Sequence, residues 1–120
     1  MLCSLAFLAS CGKPKEVPYL KLGYDGTTLT DPETKKPFSG ISKQYHKDGQ
    51  VSMEAPLKKG KFHGTVREWY PNGRKKAETE FANGERNGKC TEWTEAGLLF
   101  VECRYARDKE VSRKEYQTAK

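Results

Sequence analysis

Glycine recurs in this chain at a fixed interval: Gly40, Gly64 and Gly88 are evenly spaced. Five positions after each comes an aromatic, Tyr45, Trp69 or Trp93, and four positions further another glycine, Gly49, Gly73 or Gly97. The register runs on through Glu54, Glu78 and Glu102, then Leu57, Phe81 and Tyr105, and closes on Gly60, Gly84 and Asp108. Self-similarity at one period over three copies restricts the fold to a stack of like units, each too small to bury its apolar face alone.

The unit is legible from its turn residues. Within each copy, a run with β-branched and aromatic residues meets Asp48-Gly49, Asn72-Gly73 or Ala96-Gly97 and is followed by a second short run. Asp-Gly and Asn-Gly favour two-residue hairpin loops, whose central residues both take positive φ. Each copy (40–63, 64–87 and 88–108) is therefore predicted to be one β-hairpin, with the glycines between copies marking the reversal into the next. A single hairpin is marginal in water, so the copies must lie side by side. The expected fold is all-β: an elongated antiparallel β-meander of three 24-residue hairpin repeats, extended by one or two lead-in strands from residues 19–39.

Composition supports a thin architecture. The chain has 120 residues, enough for one small domain, and only 35% of them are apolar, against about 45–50% in ordinary globular chains. A thick two-layer core and a large multidomain enzyme are both excluded. The net charge of +6 is spread along the chain rather than concentrated on one element, which argues against nucleic-acid binding and fits a solubilising role.

The repeats, including Glu68-Trp69-Tyr70-Pro71-Asn72-Gly73-Arg74 and Phe81-Ala82-Asn83-Gly84-Glu85-Arg86-Asn87-Gly88, resemble MORN (membrane occupation and recognition nexus) repeats, in particular the bacterial variant called the YwqK-type antitoxin repeat. The resemblance covers Pro37-Phe38-Ser39-Gly40 through Asp108. It implies a repeat scaffold, and the family label implies neutralisation of a toxin partner as one use.

The N-terminus carries a second resemblance. Leu2 to Ser10 form an apolar run too short to span a bilayer, and Leu8-Ala9-Ser10-Cys11 is similar to the lipobox of bacterial lipoproteins. The resemblance implies that residues 1–10 are a signal peptide, that Cys11 is acylated, and that residues 11–18 link lipid to domain. It places the protein at the cell envelope, membrane-anchored outside the cytoplasm, in the outer membrane if the cell is Gram-negative. The last segment, 109–120, is charge-rich and reads as a frayed helix or disordered tail.

With Cys3 removed and Cys11 acylated, Cys90 and Cys103 remain. Pairing outwards from a two-residue loop at Ala96-Gly97 sets Glu95 against Leu98, Trp93 against Phe100 and Cys90 against Cys103. Alternation from that loop predicts a non-hydrogen-bonded pair, with Cα atoms about 4.5 Å apart. A disulfide fits that span and an oxidising compartment. Two buried thiols or, less well, a metal site are the rival readings, and a one-residue change of loop would move the cysteines to opposite faces.

Other candidates divide between chemistry and packing. Tyr45, Trp69 and Trp93, accompanied by Tyr70, form an aromatic row that either packs the thin sheet or presents flat rings to a sugar polymer or peptide. Glu54, Glu78 and Glu102 form a carboxylate ladder, expected to be held by neighbours such as Lys43, Arg67 and Lys89, with binding of a cation or a basic partner as the alternative. His46 and His63 have no convergent partners and read as surface histidines. Basic clusters at Lys58-Lys59-Lys61, Arg74-Lys75-Lys76 and Arg86 with Lys89 read as a solvated rim that discourages edge-to-edge aggregation, with contact to lipid phosphates or anionic wall polymers as the alternative. No nucleophile elbow, phosphate loop, HExxH or CxxC motif occurs, so no catalytic residue, metal or cofactor is expected. The functional expectation is a non-enzymatic binding surface at the envelope, with the membrane and a protein or anionic envelope polymer as partners. An antitoxin or immunity protein, or a structural spacer, is the alternative.

Overall fold

The computed structural model describes residues 13–118. The elements are β1 (Glu16–Pro18), a 3-10 turn (Tyr19–Lys21), β2 (Gly23–Tyr24), β3 (Leu29–Thr30), β4 (Gly40–Tyr45), β5 (Val51–Lys58), β6 (Lys61–Phe62), β7 (Gly64–Trp69), β8 (Lys75–Ala82), β9 (Glu85–Trp93), β10 (Leu99–Ala106) and β11 (Lys109–Glu115). One sheet runs β1-β4-β5-β7-β8-β9-β10-β11, with β6 beside β5, and β2-β3 form a separate ribbon. Among the described strands only β1 pairs parallel, with β4. The expected all-β antiparallel meander is the observed fold.

Two loop types alternate along the chain, and the two-residue loop expected within each hairpin lies between hairpins instead. The Gly49, Gly73 and Gly97 amides donate to the carbonyls of His46, Tyr70 and Thr94 at 2.9 Å, whose own amides donate to Gln50, Arg74 and Leu98 at 2.7–2.9 Å. Only the glycines take positive φ there, 92°, 87° and 91°. These are three-residue loops, a type I turn closed by a left-handed glycine. Asp48 and Asn72 explain the choice: their side-chain oxygens accept the Gln50 and Arg74 amides at 2.9 Å, holding a right-handed turn residue in place. Ala96 lacks such an oxygen, and Thr94 Oγ1 instead accepts the Leu98 amide at 3.1 Å.

The two-residue loops lie between hairpins. Lys59-Gly60, Asn83-Gly84 and Arg107-Asp108 have both residues at positive φ, 52°/80°, 52°/86° and 50°/70°, as a type I′ turn requires. Each also hydrogen-bonds back to the chain just ahead of its own hairpin: the Gly60, Gly84 and Asp108 amides donate to the carbonyls of Phe38, Phe62 and Arg86 at 2.8–2.9 Å.

Each hairpin then absorbs one extra residue. Tyr45 faces Val51 but Gln44 faces Met53; Trp69 faces Lys75 but Glu68 faces Ala77; Trp93 faces Leu99 but Glu92 faces Val101. Ser52, Lys76 and Phe100 are thus bulged. The longer loop shifts the register by one residue and the bulge shifts it back. Hence Glu95 does not pair with Leu98, nor Trp93 with Phe100, yet Cys90 still faces Cys103.

Three segments differ from expectation. Residues 11–18 do not form a free linker along their described part, since Glu16–Pro18 is a strand and the Ile41 amide donates to Lys15 O at 2.9 Å. Lys15 Nζ also bridges to Asp31 at 2.7 Å. The charged tail is neither helix nor disordered through Glu115: it is β11, hydrogen-bonded to β10 because the Arg107-Asp108 turn repeats the geometry of its predecessors. The lead-in residues 19–39 supply the β2-β3 ribbon and not strands of the main sheet. The proposed signal peptide, 1–10, and Cys11 lie outside the described residues.

The core is shallow and divided. Val17, Phe38, Ala55, Leu57 and Val66 are buried together, with Leu22, Leu29, Met53, Phe62 and Phe81 against them. The lead-in acts as a lid over this half: the Leu29 amide bonds Gly60 O and the Phe38 amide bonds Leu29 O, both at 2.9 Å. The Phe62 ring meets Phe81 edge-on at 5.3 Å and Tyr19 at 6.4 Å, worth about 0.5–1.5 kcal/mol per pair beyond area burial. Buried Ser42 donates its hydroxyl to Val17 O at 2.9 Å, fastening β1. The second half has Cys90, Val101 and Cys103 with Tyr105 against them.

Gly40 touches this fastening directly. A Cβ there would collide with the Lys15 carbonyl and come within 2.7 Å of the Phe38 ring, whereas one at Gly49 would meet nothing within 4 Å. Gly49→Ala is expected to cost about 1–2 kcal/mol of left-handed strain alone. Gly40→Ala should cost about 3 kcal/mol or more, because overpacking is added to the backbone term. Urea unfolding of the two variants measures the order; a larger loss at Gly49 would refute the assignment of β1 to this edge.

Candidate functional site

Register places the charged and aromatic candidates on one face. Lys43, Glu54, Arg67, Glu78, Thr91, Glu102 and Lys114 face one another in succession across seven strands. Opposite charges neighbour one another over most of this row, and Thr91 separates Glu78 from Glu102. Lys43 Nζ reaches Glu16 at 3.3 Å and Glu54 at 4.0 Å; Arg67 Nε and Lys75 Nζ reach Glu78 at 3.4 and 3.2 Å. Pairs this open to solvent contribute about 0.2–1 kcal/mol each. Lys89 does not hold Glu102 as expected: it stands opposite Arg104, and Glu102 accepts the Tyr116 hydroxyl at 2.6 Å. The carboxylate ladder is a set of satisfied partners.

Two residues along each strand, on the same face by the two-residue period, come Tyr45, Trp69 and Trp93. Tyr45 is 52% exposed and the tryptophans are half-buried. Among the described residues, the ring pairs in contact are Tyr19–Phe62 and Phe62–Phe81, so the rings of the row do not pack on one another. Lysine intervenes: Lys75 faces Trp69 in register and lies 5.5 Å over the Trp93 ring.

Tyr70 has a different task. Its hydroxyl donates to Trp93 O at 2.7 Å, and one copy earlier His46 Nε2 lies 3.0 Å from Trp69 O, an N–H donor in that tautomer. The residue after each row aromatic thus braces the next one's backbone. Asn72 Nδ2 and Arg74 reach Glu95 O at 3.0 and 3.4 Å and tie the same loops together. His63 Nδ1 accepts the Asn83 amide at 3.3 Å.

The rim charges are partly structural as well. Arg86 Nε bonds Asp108 at 2.7 Å and its guanidinium sits 4.3 Å over the Tyr105 ring. The ion pair raises the Arg86 pKa and holds the Asp108 carboxyl below its usual range. It compensates the one copy whose turn has aspartate where the others have glycine.

Cys90 and Cys103 are directly opposite, both buried and both free thiols. The Tyr116 amide donates to Phe100 O at 2.9 Å, so Phe100 turns its carbonyl toward β11. By alternation Val101 and Cys103 turn theirs toward β9. The cysteines therefore occupy a hydrogen-bonded pair, not the non-hydrogen-bonded pair expected, because the real loop is one residue longer. Their Cα separation is then about 5.5 Å, still within the span a disulfide bridges. Thr79 Oγ1 lies 3.6 Å from Cys90 Sγ. Burial, followed by the neighbouring Cys90, pushes the Cys103 thiol up to about 11.

An open, single-layer sheet with a ladder of side chains repeated strand after strand defines a repeat scaffold. Residues 38–59 and 62–83 match the family described as MORN repeat variant, and the chain is similar to such repeats over those residues. The hairpin beyond it repeats the same turn hydrogen bonds. No curated protein and no solved structure matched the chain.

Sequence reasoning missed the bracing role of His46 and Tyr70, although their common place after the row aromatic was a usable signal. It also missed β11, where Ser112 stands one full repeat period after Gly88 and Tyr116 falls one position short of the aromatic place. In protein kept reduced, both thiols should resist iodoacetamide at pH 8 while folded and react on unfolding, since both are buried and the Cys103 thiolate is scarce as well. Rapid modification of the native chain at either cysteine would contradict their burial.

Proposed function

We propose that the chain is a non-enzymatic bacterial lipoprotein, acylated at Cys11, that displays a MORN-like sheet as a binding surface at the cell envelope. The observation that carries the binding role is the aromatic row. Tyr45, Trp69 and Trp93 share one face and do not stack on one another, and the last two have their backbones pinned by His46 and Tyr70. Rigid rings held apart at a fixed spacing lose little entropy on binding. Lys75, opposite Trp69 and over the Trp93 ring, suits a ligand that offers both apolar faces and negative charge, such as an envelope polymer or an acidic protein segment. The Cys90–Cys103 disulfide belongs to the same reading, because an exported chain meets an oxidising compartment.

Metabolic labelling with a fatty-acid analogue tests the anchor: wild type should carry label and fractionate with membranes, and Cys11→Ser should do neither. Label that persists in the variant would remove the envelope assignment. Intact mass of protein from the envelope should rise by about 2 Da on reduction if the disulfide is present; an unchanged mass refutes that bond alone.

Capture from detergent-solubilised envelope tests the surface. Wild type should retain envelope polymer or membrane-complex components, and Trp93→Ala should lose them without loss of folding. A single stoichiometric toxic protein would move the reading to immunity, and an empty capture would leave a spacer.

A further inference from the structure

The anchor and the sheet edge are close in sequence, and that closeness fixes an orientation. Lys15 is already held by the sheet through the bond from the Ile41 amide. Four residue steps separate it from Cys11, spanning at most about 14 Å. A lipid on Cys11 therefore keeps the β1–β4 edge against the bilayer. This rests on the acylation proposed above.

The same edge carries an apolar patch that nothing among the described residues covers. Leu20, at the centre of the 3-10 turn after β1, is 86% exposed, and Tyr45 is 52% exposed. Both line one open groove with Pro18, Lys43, Gln44 and Ser52. A leucine this exposed is stabilised when its side chain leaves water, and tyrosine favours the level of lipid headgroups. Lys21 closes the turn and Lys13 lies ahead of β1 in sequence, and both complement anionic headgroups.

We infer that the Leu20–Tyr45 patch is a membrane-contact surface that seats the β1–β4 edge on the bilayer holding the Cys11 lipid. The opposite edge then projects away. Seven strand spacings of about 4.8 Å put β11 about 34 Å from β1, and the long dimension of the molecule is 56 Å. The Trp93 end of the aromatic row, with exposed Leu98 and Phe100 near it, faces outward to meet partners, while Tyr45 belongs to the membrane end.

Full-length lipidated protein in vesicles of phosphatidylethanolamine and phosphatidylglycerol tests this, with tryptophan introduced at Leu20→Trp or Leu98→Trp and wild-type emission subtracted. Both positions are exposed, so neither change threatens folding. The Leu20→Trp emission should shift to the blue and be quenched by lipid brominated near the headgroup; the Leu98→Trp emission should keep its aqueous maximum and escape quenching. Fatty-acid label on Cys11 with both tryptophans in water overturns the contact surface and leaves the anchor standing. Quenching at 98 and not at 20 overturns it too, by showing the other edge inward. Absence of label removes the anchor and this inference with it.

Discussion

The backbone bond from each inter-hairpin turn to the chain just ahead of its own hairpin sets the repeat. Gly60 to Phe38, Gly84 to Phe62 and Asp108 to Arg86 are the same bond displaced by one repeat period each time. It fixes where one hairpin ends and the next begins, so every strand enters in register with the last. Without it a polar, thin sheet would have little to specify register, because side-chain burial is the usual discriminator and apolar side chains are scarce here. The third instance replaces glycine with Asp108 and compensates through Arg86, which lets the meander reach β11.

The remaining stabilisation is local and distributed. One half of the sheet buries a modest apolar cluster beneath Phe38 and the β2-β3 ribbon; the other half has little beyond Val101 and two cysteines. The difference accounts for the side-chain-to-backbone braces at the loop ends, where Tyr70 and Asn72 stitch copies together and replace packing with hydrogen bonds. It also gives the cysteine pair its place: the half with the smaller core is the half where a cross-link would constrain the unfolded chain most usefully.

Function follows from how these constraints sort side chains. The charged row is internally satisfied, so it insulates the sheet from aggregation more than it recruits a ligand. The aromatic row is left unstacked with its backbone braced. Its two ends differ, since Tyr45 lies on β4 beside the β1 edge and Trp93 lies on β9 toward the β11 edge. A repeat that looks uniform in sequence is therefore asymmetric in space.

The regular glycine period, the all-β meander, the hairpin bends near Gly49, Gly73 and Gly97 and the facing of Cys90 and Cys103 were legible in the residues alone, because glycine placement and alternation are local properties. Loop length was not. A three-residue loop and a later bulge at Phe100 cancel in the register, so the placing of Cys90 opposite Cys103 came out right while Trp93–Phe100 and the hydrogen-bonding class of the pair came out wrong. The strand character of Glu16–Pro18 and Lys109–Glu115 was hidden for a related reason: neither segment has an apolar pattern of its own, and each becomes a strand only because an existing edge offers it backbone partners. Sequence determined the unit and its spacing. Tertiary structure decided which segments cap the sheet, which turn goes where, and which polar side chains are braces, since those depend on groups from different repeats meeting across strands.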